Sequence, residues 1–562
     1  MTVITIEGFT GENRAAHPKT LGPMVGVTSL NQKPGRGDLR PWRVPLTVAT
    51  VPVGRKTIYR MGRDVDSDAN YWLSWANRVH AVRGFNADDT TEQTYYTGDG
   101  APKVTNNIIA LSSAPYPMAS RPLGIPAPTT ALIAATNSGT WTGLSKSYYY
   151  VYTYVNDWGW ESAPSPVSAE SVRPTDATVA LSGFGSLPSG NYQINRIRIY
   201  RTQTGTSGAT EFFFLREVAV GVSTTTDDGR DLGEVLPTTT WVMTPDDLSM
   251  LTPMWNGMLA GISGNGVRIC EPYTPYAWPI AYEVLPPDSK PVALGVFGQT
   301  LLVLTTARPL VVSGSSPDSM DQMPLEMYQG CIAPESVVGM GIGVAWASED
   351  GLCWYGAGGP RILTAGLMLR EDWQKLKPST IVGKMYEGLY FGTFDAGAGL
   401  KAFLIDPMNP TGIYFMDTGY AAMHFDELKD QLYVLDSSGN VQRWDAGTAF
   451  MTTKFRSKVF QQPRVTSFAA AELVCDVYPA TFRADAVGLN EDEAAKILAS
   501  LSAVPGVSCP TPTSVRYTKV VTSRDAFRLP TISALDWQFE LETANNVQLA
   551  NIATSMVELA SV

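Results

Sequence analysis

A pattern of strand, tight turn and strand recurs through the middle of the chain. Its occurrences begin, roughly 37 to 47 residues apart, near Trp255, Leu294, Gly341, Glu387 and His424. The stretches 301–304 and 432–435 are continuously apolar, as inner strands buried on both faces are. Gly-Gln, Glu-Asp-Gly and Ser-Ser-Gly-Asn stand between strands and favour tight turns. The period predicts a β-propeller, and counting the N-terminal strands as well gives about six blades, with five or seven as alternatives.

Changes in this pattern divide the chain into five predicted segments. Residues 1–44 are rich in Gly, Pro and charge and predict an extended N-terminal arm. Residues 45–127 predict the first propeller strands or blades, and 128–240 an inserted β-sandwich like fibronectin type III or immunoglobulin modules. Residues 241–447 carry the main blades. Residues 448–562 predict a C-terminal β domain with one short helix, which is a second candidate for closing the propeller.

Three finer expectations follow from these segments. The arm cannot bury a core alone, so it is expected to lie on another domain or on a neighbouring subunit. Strands from the N-terminal part are expected to pair with the last blade and so close the propeller. The helix is predicted over 490–501, where Asn490 can cap it, acids fill its first turn, and Pro505 follows its end.

Composition supports an all-β globular protein. The chain has 562 residues, 44% hydrophobic and only 17% charged, with 50 Gly and 39 Pro. Its net charge is −11, from 42 basic and 53 acidic residues, and no run of Lys or Arg forms a nucleic-acid footprint. Sequence-specific DNA binding is therefore not expected. An acidic surface still lets DNA pass, because like charges prevent adhesion.

The cysteines and the N-terminus indicate in which cellular compartment the protein is made. The five cysteines are odd in number and lack a CxxC pair, which argues against a zinc site or a disulfide framework. We expect buried free thiols made in a reducing cytoplasm at Cys270, Cys331, Cys353, Cys475 and Cys509. The N-terminus lacks a basic region followed by an apolar one, and no apolar run approaches about 18 residues. A usual secretion signal and a membrane span are not expected.

Motifs for catalysis are absent from the sequence. The three histidines, His17, His80 and His424, fall in different segments without metal-binding spacing. The stretch 261–266 (GISGNG) resembles a nucleophile elbow, but its spacing is wrong and a hairpin turn explains it better. The stretch 341–343 lacks the third Gly of a dinucleotide site. We therefore expect no enzyme activity, and no catalytic, cofactor-binding or metal-binding residues.

Acidic clusters are candidates for calcium sites or glycosidase carboxylates. They are Asp227-Asp228, Asp246-Asp247, Glu349-Asp350 and Glu491-Asp492-Glu493. The first three fall at predicted turns, and the last at a predicted helix start. The stretch 64–68 comes closest to a calcium loop, but Ala69 and Trp75 stand where Gly and Glu are required. Structural roles are favoured for all of them.

Aromatic residues offer one alternative to a purely structural function. Tyr148 to Tyr154, with Trp158 and Trp160, could form a sugar platform. Strand alternation and enrichment of Tyr and Trp at interfaces explain the same pattern, and are favoured. The tripeptide Arg36-Gly37-Asp38 in the arm is treated as a chance match to an integrin motif.

Several phrases, taken in order along the chain, resemble one protein family. They are Phe9-x-Gly11, 37–43 (GDLRPWR), 71–73 (YWL), 95–105 (YYTGDGAPKVT), 121–128 (RPLGIPAP), 152–155 (YTYV), 159–165 (GWESAPS), 527–530 (FRLP) and 536–537 (DW). This set resembles the nozzle, or tail hub, proteins of short-tailed bacteriophages, also called tail tubular protein B. The helix at 491–501 has no counterpart in the matched phrases.

The resemblance implies a structural virion protein of the phage tail, assembled in the host bacterial cytoplasm. The family forms a homohexameric ring of propellers below the portal and adaptor. Genomic double-stranded DNA passes through this ring, without specific binding, during ejection. Expected partners are further copies of the chain, head-to-tail adaptor or portal proteins, and tail fibre or tail tip proteins.

The sequence is also consistent with two other functions. One is a carbohydrate-binding or depolymerising propeller of a virion or cell surface, using Trp158, Trp160 and a pair of carboxylates. The other is a cellular propeller scaffold, for which only Trp444-Asp445 resembles a WD repeat.

Overall fold

Alternating apolar positions form β-strands through most of the chain. The computed structural model describes residues 3–62, 67–86, 88–204 and 210–560. The first strands are β1 Val3–Ile6, β2 Thr28–Leu30, β3 Leu46–Thr50, β4 Thr57–Arg60, β5 Trp72–Trp75, β6 His80–Arg83, β7 Thr94–Thr97, β8 Lys103–Thr105 and β9 Arg121–Pro122. The next are β10 Ile133–Thr136, β11 Ser145–Tyr148, β12 Tyr150–Asn156, β13 Ser171–Pro174, β14 Val179–Ser182, β15 Ile194–Thr204, β16 Thr210–Ala219 and β17 Thr224–Asp227.

The repeat region continues in the same way. Its strands are β18 Ser249–Pro253, β19 Leu259–Ser263, β20 Gly266–Ile269, β21 Pro291–Phe297, β22 Thr300–Thr305, β23 Leu310–Ser313, β24 Asp321–Pro324, β25 Val338–Gly339, β26 Gly343–Ala347, β27 Leu352–Gly356, β28 Gly359–Ile362, β29 Val382–Tyr386, β30 Leu389–Asp395, β31 Leu400–Ile405, β32 Tyr414–Met416, β33 Ala422–Asp426, β34 Gln431–Leu435 and β35 Asn440–Arg443.

The C-terminal strands and the few helices complete the described chain. The strands are β36 Thr453–Thr466, β37 Ala470–Cys475, β38 Ala480–Val487, β39 Val507–Thr511, β40 Ser514–Val521, β41 Phe527–Arg528, β42 Ala534–Thr543 and β43 Val547–Ala553. The α-helices are α1 Asn107–Ala110, α2 Arg370–Lys375, α3 Glu491–Ser500 and α4 Met556–Leu559. Single 3-10 turns cover Ile280–Tyr282, Pro317–Ser319, Pro334–Ser336 and Pro378–Thr380. Within these ranges no helix is long and apolar enough to cross a membrane.

Among the described residues, consecutive antiparallel strands form six sets of three or four strands, as in the blades of a β-propeller. The chain divides into two compact units, Leu73–Glu326 and Met1–Trp72 with Met327–Val562. The first unit holds sheets β6-β7-β8-β9, β18-β19-β20 and β21-β22-β23-β24. The second holds β25-β26-β27-β28, β29-β30-β31-β32 and β33-β34-β35 with β3. The propeller expected from the repeats is confirmed, while the segment predicted at 45–127 is divided between the two units.

An N-terminal strand completes the last blade, as expected. Strand β3 pairs antiparallel with β35, with Leu46 opposite Arg443 and Thr50 opposite Asn440. The C-terminal domain contributes no strand to this sheet among the described residues. Of the two candidates for closing the propeller, the N-terminal strand is therefore the one that pairs with the last blade.

The arm lies on the C-terminal domain of its own chain. Strand β1 pairs with β43, and Leu39 forms a β-bridge with Val547. The ring of Phe9 meets that of Phe455 edge-on, with centroids 4.8 Å apart. Strand β2 lies between β32 and β36, so one sheet of ten strands runs from the blade β29–β32 into the C-terminal domain. The arm cannot form a hydrophobic core of its own. Its apolar residues are buried because its strands join these sheets.

The one helix predicted from sequence is confirmed. Helix α3 begins after Asn490, whose Oδ1 accepts a hydrogen bond from the backbone N–H of Glu493 at 2.8 Å. The Glu493 side chain in turn accepts one from the Asn490 N–H at 3.2 Å. This reciprocal pair is a capping box. Helices α1 and α4 also begin after capping residues, Asn106 and Ser555, whose side chains accept the backbone N–H groups of Ile109 and Glu558.

The inserted segment forms the expected β-sandwich. Its sheets are β10-β14-β17, β11-β13 and β12-β15-β16. Tyr150, Tyr152, Leu181 and Ile199 lie in its core without exposed surface. The same hydrophobic cluster includes Tyr95 and other residues of the neighbouring blades of this unit. The sandwich is therefore packed into its unit through a shared core.

Three serines at three-residue spacing cover the free edge of β12. Ser162, Ser165 and Ser168 each donate a backbone N–H to the carbonyl of Tyr154, Tyr152 and Tyr150, respectively, at 2.8 to 3.0 Å. Their hydroxyls accept the backbone N–H of the same tyrosines at 2.9, 3.1 and 3.0 Å. Every three residues of this proline-containing segment therefore lie beside two residues of β12. This pairing satisfies an edge that would otherwise be open to another chain.

Candidate functional site

The three histidines do not form a site. His17 lies in the arm, and His80 begins β6. His424 lies in β33 against the rings of Tyr59 and Trp72, with centroids 5.1 and 6.0 Å away. Its burial there lowers the pKa of the His424 imidazole. In the part of the chain that the structure describes, no three His, Cys, Asp or Glu side chains are grouped to hold a metal ion.

Most of the acidic clusters stabilise turns or helix ends. Asp247 accepts hydrogen bonds from Ser263 Oγ at 2.6 Å and from the Gly264 N–H at 2.9 Å. This confirms that 261–266 is a hairpin turn, between β19 and β20. Asp350 lies in the turn between β26 and β27. In the stretch 64–68, Asp64, Val65 and Asp66 lie outside the described residues, and Asp68 pairs with Lys429 and Arg443 at 3.3 Å each.

Asp227 has the structural role expected at a turn, because its Oδ1 accepts the backbone N–H of Gly229 at 2.9 Å, and it is also a buried ion. It ends β17 with no exposed side-chain surface and pairs with Arg173 at 2.7 Å and Arg201 at 2.8 Å. The Tyr150 hydroxyl donates to it at 2.9 Å. Burial opposes its charge, but hydrogen bonding from Arg201 and the two positive charges together keep the pKa of Asp227 below its usual value. The sequence gives no sign of these partners, which come from other strands.

The thiols are free, as expected, but not all are buried. Cys270, Cys331 and Cys353 are buried, Cys475 is partly buried, and Cys509 is exposed. Burial raises the pKa of the three buried thiols to about 12. The expectation of burial is wrong for Cys509, because this residue lies in β39, the edge strand of its sheet.

The tyrosine run is core and not a platform. Tyr150, Tyr152 and Tyr154 are at most 1% exposed. The ring of Tyr148 lies under the guanidinium of Arg173, 4.4 Å from its centroid, and helps to cover the buried ion pair. Of the aromatic residues considered from sequence, Trp160 is the one that reaches an open cavity.

That cavity lies within the unit Leu73–Glu326 and has a volume of about 360 Å³. It forms where the loop after β6, strand β7, the loop after β12 and the loop after β20 meet. Its aromatic and proline lining is Phe85, Tyr95, Trp160, Tyr273, Pro275 and Tyr276. Two amides, Asn86 and Gln93, supply the remaining lining side chains. No charged side chain is among these described lining residues.

A short loop fixes the position of Trp160. Asn156 Oδ1 accepts the backbone N–H groups of Trp158 at 3.0 Å and Trp160 at 2.9 Å. Gly159 between them has a φ of +80°, which suits glycine. Trp160 then stacks on Tyr276 with centroids 4.6 Å apart and planes 18° apart. Contacts within the protein thus hold the indole in place.

Another part of the cavity lining depends on close packing around Tyr273. Its backbone N–H donates to the Gly257 carbonyl at 2.8 Å. A Cβ on Gly257 would lie 2.4 Å from the Tyr273 ring, so only glycine allows this approach. The Tyr273 side chain is otherwise 69% exposed. Phe85 lies between Tyr273 and Tyr95, with both centroids 6.4 Å away.

The polar groups of the cavity are neutral hydrogen-bonding groups. The Tyr95 hydroxyl donates to Gln93 Oε1 at 3.1 Å, and the Asp88 N–H donates to Asn86 Oδ1 at 3.0 Å. Both amide oxygens are thereby oriented. Burial is the main cause that raises the pKa of Tyr95, and it raises that of Tyr276 to about 12. These phenols therefore remain neutral at ordinary pH.

Sequence reasoning identified Trp160 but missed the rest of the cavity. The available signal was the density of aromatic and proline residues in 271–278 (EPYTPYAW), directly after a predicted strand. Phe85 and Gln93 had no local signal. They join the site through packing between segments far apart in the chain.

Solved structures similar to this chain include propeller domains. No protein-family description and no curated protein matches the sequence. The Dos1 propeller is 10% identical over 73% of this chain and 96% of its own, with a TM-score of 0.29. The WD40 domain of Toxoplasma gondii coronin is 11% identical over 77% and 89%, with a TM-score of 0.24. The propeller domain of the Trilobed protease from Pyrococcus furiosus is 10% identical over 56% and 96%, with a TM-score of 0.23. Scores this low add nothing to the fold assignment, which rests on the strand pairing described above.

Proposed function

We propose that the chain is a structural subunit of the tail nozzle of a short-tailed bacteriophage. In this function, copies form a ring, expected to be a hexamer, through which genomic DNA leaves the virion. The ring would contact the portal or adaptor proteins and the tail fibres or tip. The observation that carries the proposal is the ordered series of sequence phrases that resemble those of the nozzle family.

The places of these phrases in the fold support the proposal. The phrase at 37–43 contains Leu39 and Trp42, both with no exposed surface. The phrase at 95–105 forms the hairpin β7–β8, and Gly98 in it has a φ of +100°. The phrases at 152–155 and 159–165 are β12 and the serine segment along its edge. These four phrases therefore have a physical reason for their residues in the fold.

Charge is also compatible with a DNA conduit. The net charge of −11 disfavours adhesion of a polyanion to the protein surface. Several buried acids are neutralised within the fold. Asp485, for example, pairs with Arg516 at 2.7 Å and with Arg456 at 3.0 Å. A passage function needs no catalytic residues, so the proposal does not depend on a pocket.

The proposal is tested on virus particles and on the purified full chain. A phage lacking this gene is expected to package DNA but to lack the lower tail, and a copy supplied in trans is expected to restore infectivity. Cryo-electron microscopy of complete virions should place the chain around the DNA exit channel. The purified chain mixed with its adaptor complex should form a ring by mass photometry. Complete, infectious tails without the chain would refute the proposal.

A further inference from the structure

We propose that the cavity lined by Trp160, Tyr273 and Gln93 binds a neutral saccharide. This inference is independent of the nozzle function, because it rests on the cavity's own lining. It assigns binding and not hydrolysis, since the described lining residues include no carboxylate.

The aromatic walls give the first reason for this ligand class. Ring faces carry partial negative charge and attract the partly positive C–H groups that cover the faces of a sugar ring. Trp160 is held rigidly by its stack on Tyr276, with planes 18° apart, and by the edge of Trp158, whose centroid is 5.3 Å away. Tyr273 leaves most of its surface to solvent at the cavity rim. A rigid wall loses little entropy when a ligand binds.

The two amides give the second reason. Their oxygens are already used as acceptors within the protein, while the Nδ2 of Asn86 and the Nε2 of Gln93 donate to no group among the described residues. These nitrogens are available donors for sugar hydroxyl and ring oxygens. Because no charged side chain is in the described lining, nothing there compensates a charged ligand. A neutral molecule rich in hydroxyl groups would contact the aromatic rings and accept hydrogen bonds from the two amide nitrogens.

Size and shape favour a saccharide over a proline-rich peptide. The volume of about 360 Å³ is at the lower end of ordinary ligand pockets. Peptides in the polyproline conformation dock into aromatic-lined grooves along an extended strip. Here the rings enclose a cavity at differing angles, 40° between Phe85 and Tyr95 and 82° between Phe85 and Tyr273. The arrangement fits one or two sugar rings better than an extended chain.

The test uses the full-length purified protein on an array of neutral and acidic glycans, which also carries proline-rich peptides. The strongest neutral glycan is then measured by isothermal titration calorimetry. Tyr273→Ala is expected to weaken binding about tenfold or more, because it removes an exposed wall. Gln93→Leu is expected to weaken it about tenfold, because it removes the donor while keeping volume.

Matched variants control for nonspecific effects. Gln322→Leu changes an exposed glutamine in β24, and Tyr328→Ala removes a tyrosine that is 77% exposed. Both should bind like the unchanged protein. Tyr273→Ala and the two controls should keep its melting temperature, whereas Gln93→Leu should lower it, because the Tyr95 hydroxyl also loses its acceptor. The proposal is overturned if no neutral glycan binds, if acidic glycans or peptides bind instead, or if Tyr273→Ala and Gln93→Leu bind as tightly as their controls.

Discussion

The serine segment along β12 makes a local stability prediction. Ser165→Ala removes the hydroxyl that accepts the Tyr152 backbone N–H at 3.1 Å. Tyr152 has no exposed surface and Ser165 is 5% exposed, so water cannot easily replace the lost acceptor. The backbone hydrogen bond from the Ser165 N–H to the Tyr152 carbonyl, at 2.8 Å, remains.

The expected magnitude follows from leaving one buried donor unpaired. Such a group costs about 1 to 3 kcal/mol. Because every 1.4 kcal/mol is a factor of ten, the Tyr152 amide should exchange with solvent about 5- to 150-fold faster. Ser162→Ala and Ser168→Ala should act in the same way on Tyr154 and Tyr150, since their hydroxyls make the same contacts.

Hydrogen–deuterium exchange with mass spectrometry measures this effect without requiring two-state unfolding of a large chain. The informative peptide covers Tyr150–Asn156. Ser437→Ala, at an exposed turn, is the matched control and should leave the exchange of this peptide unchanged. Equal exchange in Ser165→Ala and Ser437→Ala would refute the claim that the serine hydroxyls hold the strand edge.

Three further predictions address other parts of the fold. Asp227→Asn leaves two buried guanidinium groups without a countercharge and should cost about 3 to 5 kcal/mol, whereas Asp228→Asn, with a side chain 46% exposed, should cost at most about 1 kcal/mol in thermal melts. Because the pKa of Asp227 is lowered in the fold, its charge stabilises the protein above about pH 4, and this stabilisation is lost as the pH falls further. The Asp227→Asn variant should therefore lose less stability on acidification than the unchanged protein. An equal loss in both proteins would contradict this. Gly98→Ala should destabilise far more than Gly100→Ala by urea denaturation, since both have positive φ but only the Gly98 Cβ would lie 2.2 Å from the Arg78 carbonyl oxygen; equal losses would count against the packing argument. Asn490→Ala should lower the protection of α3 by about 0.5 to 2 kcal/mol in exchange experiments, and Asn490→Asp should restore it if the capping box is the cause.

Local physics explains which expectations were confirmed. The blade strands follow from continuous apolar runs such as 301–304, which are fully buried in β22. The cap of α3 follows from Asn490 and Glu493, three residues apart, because both hydrogen bonds lie within one helical turn. The hairpin at 261–266 follows from its glycines. In each case the residues that determine the structure are neighbours in sequence.

Other features depend on contacts between distant segments. Asp227 looks like a turn residue by its neighbours, yet Arg173 and Arg201 lie 54 and 26 positions away and make it a buried ion. The exposure of Cys509 depends on β39 being an edge strand, which no local pattern encodes.

The sequence by itself determined the strand periodicity, the turns, the capped helix and the resemblance on which the nozzle proposal rests. Only the tertiary structure decided where the arm lies, which charges are buried and that Trp160 belongs to an aromatic cavity. The physical reason is the range of the interactions. Periodicity and capping act over a few residues. Burial and cavity shape arise when loops that are far apart in the sequence, such as those that contain Phe85 and Tyr273, pack together.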